Sequence, residues 1–156
     1  MKWLFTPIFS LFACGLLVLP APVQAAGDHG NRDEAMAMVD KAAALVKQDG
    51  PAAFPKLSDK SGPFVDRDLY IVVFDNTGKV MAHGGNPALV GVNLLAAKDP
   101  DGVPFVQNIL ASAKETPGGS WVKFKFTNPL SKKIEQKVMY VRQVGDYAVN
   151  CGVYGE

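Results

Sequence analysis

Lys137 and His83 are the two side chains of this sequence best placed to do chemistry. Lys137 interrupts a strand-like run, Gln136-Lys137-Val138-Met139-Tyr140-Val141, that otherwise turns apolar. An ammonium among apolar neighbours costs several kcal/mol unless an anion or hydrogen bonds compensate it. A ligand carboxylate would be one such partner. The residues alone favour a lysine near a strand end whose stem snorkels to water. His83 follows Val80-Met81-Ala82 and precedes Gly84-Gly85, whose backbone amides can approach an anion closely. It suits donation to a carboxylate, ligation of a metal or haem, or the capping of local loop carbonyls. Tyr140 and Trp121 have apolar bodies and polar tips, which serve a ligand or an ordinary core equally. His29 lies in the N-terminal stretch ahead of the first periodic segment and is expected to be disordered. Neither histidine belongs to a metal-binding pair, so no dedicated zinc site and no resident cofactor are expected. Cys151, on a predicted strand, reads as an inert small hydrophobe.

The elements that position these groups can be read from periodicity. Leu69 to Asp75 is a β-branched and aromatic run, as in a strand buried on both faces. Asp75-Asn76-Thr77-Gly78 is turn chemistry, and Lys79 to His83 returns as a second strand. Trp121–Phe126, Ile134–Val144 and Tyr147–Tyr154 are three more, joined by Asn128-Pro129-Leu130-Ser131 and by Gly145-Asp146. A two-residue turn at Gly145-Asp146 sets Val144 opposite Tyr147, Tyr140 opposite Cys151 and Lys137 opposite Tyr154. The longer turn before Ile134 leaves the register of Trp121 open. Residues 31 to 49 read as a helix capped by Asn31 or Asp28, with an apolar stripe through Ala35, Met38, Val39, Ala42, Leu45 and Val46. Met36 and Met38 belong to such a helix rather than to a soft-metal site. Ala52 to Asp68 is a connector with a short helical turn at best. A turn and short helix over Asn86 to Ala97, and a helix over Val103 to Lys114, follow. Lys98-Asp99-Pro100-Asp101-Gly102 is a turn that lacks the spacing and distal glutamate of a calcium loop. The predicted fold class is α+β: a five-stranded antiparallel PAS-like sheet with a long N-terminal helix and shorter helices on the other side.

The central stretch also carries a family likeness. A strand, a D-x-x-G turn, a second strand ending in Ala82-His83, then N-P-A-L-V-G-x-N-L and K-D-P-D-G-x-P-F resembles a single-module Cache domain. The likeness continues through Trp121-Val122-Lys123-Phe124, Asn128-Pro129, Lys137 to Val141, Gly145-Asp146-Tyr147 and Gly152-Val153-Tyr154. It covers most of the chain. It implies an extracytoplasmic PAS-like sensor that binds a small molecule, often an organic acid, in front of the sheet. It also implies Lys137, His83, Trp121, Tyr140 and Phe105 as ligand-binding residues, and tips Lys137 towards a functional role.

The outer segments agree with export. Met1-Lys2, an apolar run to Leu19 and Val23-Gln24-Ala25 read as a signal peptide over residues 1–25, leaving a single domain over 26–156. A retained anchor and lipoprotein processing at Cys14 are the rivals. Loss of residues 1–25 removes Lys2 and Cys14, leaving 15 basic and 15 acidic residues and one cysteine, Cys151. A neutral chain lacks the basic footprint that nucleic acid requires. Enzyme signatures such as G-x-S-x-G, a P-loop, H-E-x-x-H and C-x-x-C are missing, and no enzymatic activity is expected. The reading is therefore a periplasmic or secreted, stand-alone binding domain for a small organic acid, acting with a membrane receptor or as a homodimer. The alternatives are an interaction module with a vestigial pocket and a haem- or metal-binding exported protein.

Overall fold

The computed structural model describes residues 28–155. The expected signal peptide over 1–25, with Cys14 inside it, lies outside the described residues. Helix α1 spans Arg32–Asp49 and begins with a reciprocal cap: Asn31 Oδ1 accepts from Glu34 N, and Glu34 Oε2 accepts from Asn31 N, both at 2.9 Å. Gly50, at φ 57°, ends it. Ala35, Met38, Val39, Ala42, Ala43 and Val46 are buried, so Met38 is core and Met36 is exposed.

Six strands form the sheet: β1 (Val65–Asp66), β2 (Leu69–Asp75), β3 (Val80–His83), β4 (Ser120–Thr127), β5 (Ile134–Val144) and β6 (Tyr147–Tyr154). Their order is β1-β2-β6-β5-β4, with β3 also paired to β2, and every pairing is antiparallel. The PAS-like α+β fold is as expected, with β1 as a two-residue addition. The connector is more ordered than its composition suggested. Pro51 and Pro55 each open a short helical piece, a 3-10 turn over Gly50–Ala53 and α2 over Phe54–Ser58, and Phe54 and Leu57 are buried beneath them.

The sheet separates two cores. Helices α1 and α2 cover one face, over Ile71, Val73, Val138, Tyr140, Val149, Cys151 and Val153. Helix α3 (Phe105–Glu115) covers the other, over Tyr70, Val72, Phe74, Val122, Phe124, Met139 and Val141. β2 is buried on both faces, which its unbroken apolar run requires. The loop after β3 contains only a 3-10 turn, Pro87–Leu89. It then runs back along the hairpin, where Val80 N donates to Val92 O at 2.9 Å and Leu94 N to Gly78 O at 2.9 Å. Asp99 organises the turn before α3: its carboxylate accepts from the backbone of Asp101, Val103 and Lys125, each at 2.9 Å. The Lys125 amide is the first cause holding this carboxyl below its ordinary pKa.

Candidate functional site

Residues of β5 alternate between the two cores. Lys137, Met139 and Val141 face α3, whereas Val138 and Tyr140 face α1. The register of β5 with β6 is the expected one, with Lys137 opposite Tyr154. β4 adds Phe124 on the other side of Lys137. Lys137 is 1% exposed, so no snorkelling stem reaches water.

The Lys137 ammonium is held by two phenols. Nζ donates to Tyr70 Oη at 2.7 Å and to Tyr154 Oη at 3.0 Å. The phenols lie 3.0 Å apart, and Tyr154 O–H donates to Thr127 O at 2.9 Å. The hydroxyl protons therefore have one consistent direction: Tyr70 donates to Tyr154, Tyr154 to the Thr127 carbonyl, and both oxygens accept from lysine. Burial first, then neighbouring Tyr70, pushes the Tyr154 phenol far above its usual range, so it stays neutral. Among the described residues no carboxylate lies within ion-pair distance of Lys137. An ammonium has three N–H groups, and these two phenols use two.

His83 stands beside this cation. Its ring stacks on Tyr70 with centroids 5.1 Å apart and planes at 22°. Nδ1 accepts from Asn86 N at 2.9 Å, so the neutral ring carries its proton on Nε2. Burial, and then the charge of Lys137, lower its pKa to about 4. His83 is thus a neutral donor at ordinary pH. The loop that caps it also fixes its tautomer.

These groups line a cavity of about 20 Å³ between the sheet and α3, shared with Val72, Phe124 and Phe126. Phe105 closes it from α3 and stacks on Phe124 at 4.8 Å. That volume holds about one water. A larger outer groove, about 390 Å³, adjoins it and is bordered by Lys60, Asn86, Asn128 and Lys132. Tyr70, His83 and Phe126 line both spaces and so form the wall between them. No Asp or Glu lines either.

Three of the expected site residues, Lys137, His83 and Phe105, are therefore together. Trp121 and Tyr140 are not with them. They pair across β4 and β5 on the α1 face, with ring centroids 5.1 Å apart, and Tyr140 O–H donates to Gly118 O at 3.3 Å. Positions 137 and 140 differ by an odd number, so a strand must point them to opposite faces. Tyr70, Tyr154 and Phe126 were not singled out from the sequence. The register that sets Lys137 opposite Tyr154 was the available signal for Tyr154, whereas Tyr70 becomes a neighbour only through β2 joining β6.

The other reactive side chains do different work. Burial raises the Cys151 thiol to about 12, consistent with an inert core residue. His29 is ordered rather than free: Nδ1 lies 2.8 Å from Oδ2 of fully buried Asp68, whose Oδ1 accepts from Gly30 N at 2.7 Å. Among the described residues no group of three or more His, Cys, Asp or Glu side chains is arranged to hold a metal ion.

Comparison with known proteins gives a consistent result. The profile described as Single Cache domain 2 matches residues 24–156. A methyl-accepting chemotaxis protein from Vibrio parahaemolyticus is 22% identical, with a TM-score of 0.67 over 78% of this chain and 86% of that one. A structure titled as the basis for carboxylic acid recognition by a Cache chemosensory domain is 21% identical, with a TM-score of 0.67 over 80% of this chain and 92% of that one. A periplasmic sensor domain of a chemotaxis protein is 22% identical, with a TM-score of 0.61 over 80% and 90%. At these identities the likeness is one of fold. No curated protein matches the chain.

Proposed function

The chain belongs to the Single Cache domain 2 family, and from that premise we propose that it reversibly binds a small organic carboxylate at Lys137 for extracytoplasmic sensing. Cache domains are non-enzymatic ligand-binding sensor modules. The observation that carries the carboxylate reading is the Lys137 ammonium, 1% exposed, hydrogen-bonded to two phenols and, among the described residues, with no carboxylate within ion-pair distance. A bound carboxylate supplies the missing counter-charge and accepts the remaining N–H. His83 Nε2–H is a second donor, and its neutrality leaves the charge balance to Lys137 and the ligand.

The small cavity sets the route. Tyr70, His83 and Phe126 stand between it and the outer groove, so a ligand reaching Lys137 from that groove passes these three side chains. Lys60 and Lys132 on that groove favour approach of an anion. A near-filled pocket also suits the second reading, an interaction module, and Val90, Val92 and Leu95 expose apolar surface on the loop beyond β3. Calorimetric titration with acetate, propionate and longer acids separates the two. Saturable binding of a short acid, lost in Lys137→Met, supports the sensor reading. No binding by any acid leaves the interaction module. The proposal includes export, with the segment ahead of Ala26 read as a signal peptide; mass spectrometry of the native protein is expected to find Ala26 first, and an intact Met1 overturns it.

A further inference from the structure

The turn between β4 and β5 displays apolar side chains that neither core uses. Leu130 is 48% exposed and Ile134 58%, the two highest values among the large hydrophobic side chains described. One exposed leucine is ordinary, but these two share a turn with cations. Lys132 and Lys133 lie between them and are exposed. Lys98, also exposed, borders with Ile134 a depression of about 110 Å³. Among the described residues no carboxylate lies within ion-pair distance of any of these three lysines. The acids nearby are engaged elsewhere. Glu135 accepts from Asn128 Nδ2 at 2.8 Å and Ser131 Oγ at 2.5 Å, Asp99 holds three backbone amides, and Asp101 pairs with Lys125 at 2.9 Å.

The turn is held in shape by Asn128, which is fully buried. Its backbone N donates to Lys133 O at 2.9 Å, its O accepts from Lys132 N at 3.0 Å, and its Oδ1 accepts from Leu130 N at 2.8 Å. Covering so ordered a turn costs little further ordering entropy. The register sets it at one end of the sheet, where β2 and β5 begin and β6 ends: Ile71 lies opposite Cys151 and Lys137 opposite Tyr154. His29 reaches the same end, bonded to Asp68 just ahead of β2 and close enough to Glu135 to feel its charge. The chain before Asp28 therefore joins the domain at the end that carries this turn. That chain is largely apolar from Trp3 to Leu19.

We propose that the β4–β5 turn docks on an anionic lipid surface, Leu130 and Ile134 entering the acyl boundary while Lys98, Lys132 and Lys133 meet the headgroups. Interfacial binding scales with buried apolar area plus attraction to anionic lipid, and this turn offers both. A second copy of the chain would set lysine against lysine. A folded protein partner would need acids placed against all three cations, whereas a lipid surface supplies negative charge without any register. Each lysine near such a surface strengthens binding about fivefold, and salt screens the effect. The contact is independent of the carboxylate site at Lys137.

Co-sedimentation with vesicles tests this, using the chain from Ala26 onwards, because the apolar segment before it would enter vesicles by itself. That chain contains both cores. Vesicles of phosphatidylcholine with about one quarter phosphatidylglycerol are expected to bind it at least about tenfold more strongly than phosphatidylcholine alone, at about 0.1 M salt. Salt at about 1 M is expected to remove that difference. Lys132→Gln with Lys133→Gln, and separately Leu130→Ser with Ile134→Thr, are each expected to weaken binding at least about fivefold. Val92→Ser, which changes an exposed apolar residue on the loop beyond β3, is expected to bind as wild type. Equal binding to both vesicle types overturns the inference. Binding to neither overturns it and leaves the turn to a protein partner. Wild-type binding by either double variant, or an equal loss in Val92→Ser, also overturns it. Should one double variant fail to fold by circular dichroism, the other decides.

Discussion

The stem of Lys137 occupies the space that a side chain at Gly152 would take. A Cβ at position 152 would meet Lys137 Cε first, with Cγ at 3.1 Å and Cδ at 3.2 Å, and no backbone atom is among these nearest contacts. Gly152 is therefore the floor over which the lysine crosses to Tyr70 and Tyr154.

Gly152→Ala tests that packing. Alanine is favoured over glycine in a strand by about 0.5–1 kcal/mol, while displacing Nζ puts at risk two hydrogen bonds from a charged donor, of about 1.5–3 kcal/mol each. The lysine stem can yield and keep part of these bonds, so the fold is expected to survive with a net loss of stability of about 1–3 kcal/mol. Carboxylate affinity is expected to fall well beyond that loss, because the ammonium leaves its post. Circular dichroism and titration on one preparation check both halves. Wild-type affinity in this variant would mean that Lys137 does not bind ligand from its present position.

Lys137→Met keeps the stem and removes the charge. The ligand-free protein is expected to be as stable as wild type or more so, since a buried cation without an ionic partner is replaced by a thioether of similar shape. Carboxylate binding is expected to fall by about 2–5 kcal/mol. Urea unfolding and calorimetry measure the two effects separately. Marked destabilisation without loss of binding would assign Lys137 to structure alone.

The residues that were legible in the sequence are those fixed by local rules. The turn at Gly145-Asp146 determined the β5–β6 register, and the observed partners of Lys137, Tyr140 and Val144 are the ones it sets. His83 was found because a hairpin ending in a Gly-Gly loop leaves few places for it. Strand alternation puts Lys137 and Tyr140, three positions apart, on opposite faces of β5, so the two do not share a site. What was not legible depends on pairing between distant segments. β2 joins β6 across more than seventy residues, and only that pairing brings Tyr70 to Lys137 and Asn150 to Val72. The ordering of His29 likewise needs Asp68, thirty-nine residues away.

His29 and Asp68 give a pH effect of one sign. Hydrogen bonding to Asp68, and then its charge, raise the His29 pKa above 6.5. A raised folded value contributes stability that is fully present below pH 6.5 and is lost as pH rises through the folded value. His29→Ala should therefore lower the melting temperature more at pH 5.5 than at pH 9, with the size limited by solvent at this exposed ring. An equal loss at both pH values would remove the ionic contribution.

His83 gives the opposite sign, and at a more buried position. Its folded pKa is lowered from 6.5 to about 4, first by burial and then by Lys137. Between those values the unfolded chain binds a proton that the folded chain refuses, so stability must rise with pH. The contribution is fully present above pH 6.5 and is lost as pH falls through the window, levelling off below pH 4. The shift corresponds to on the order of 3 kcal/mol at 1.36 kcal/mol per pH unit. Urea unfolding at intervals from pH 7.5 to 4 is expected to show this loss in wild type. His83→Asn lacks the titrating ring, so its curve should be flatter over the same range by about that amount. A bound carboxylate offsets the charge of Lys137 and makes protonation of His83 less costly. Saturating ligand should therefore flatten the wild-type curve towards that of the variant. If ligand leaves the acid sensitivity unchanged, the carboxylate does not sit between Lys137 and His83.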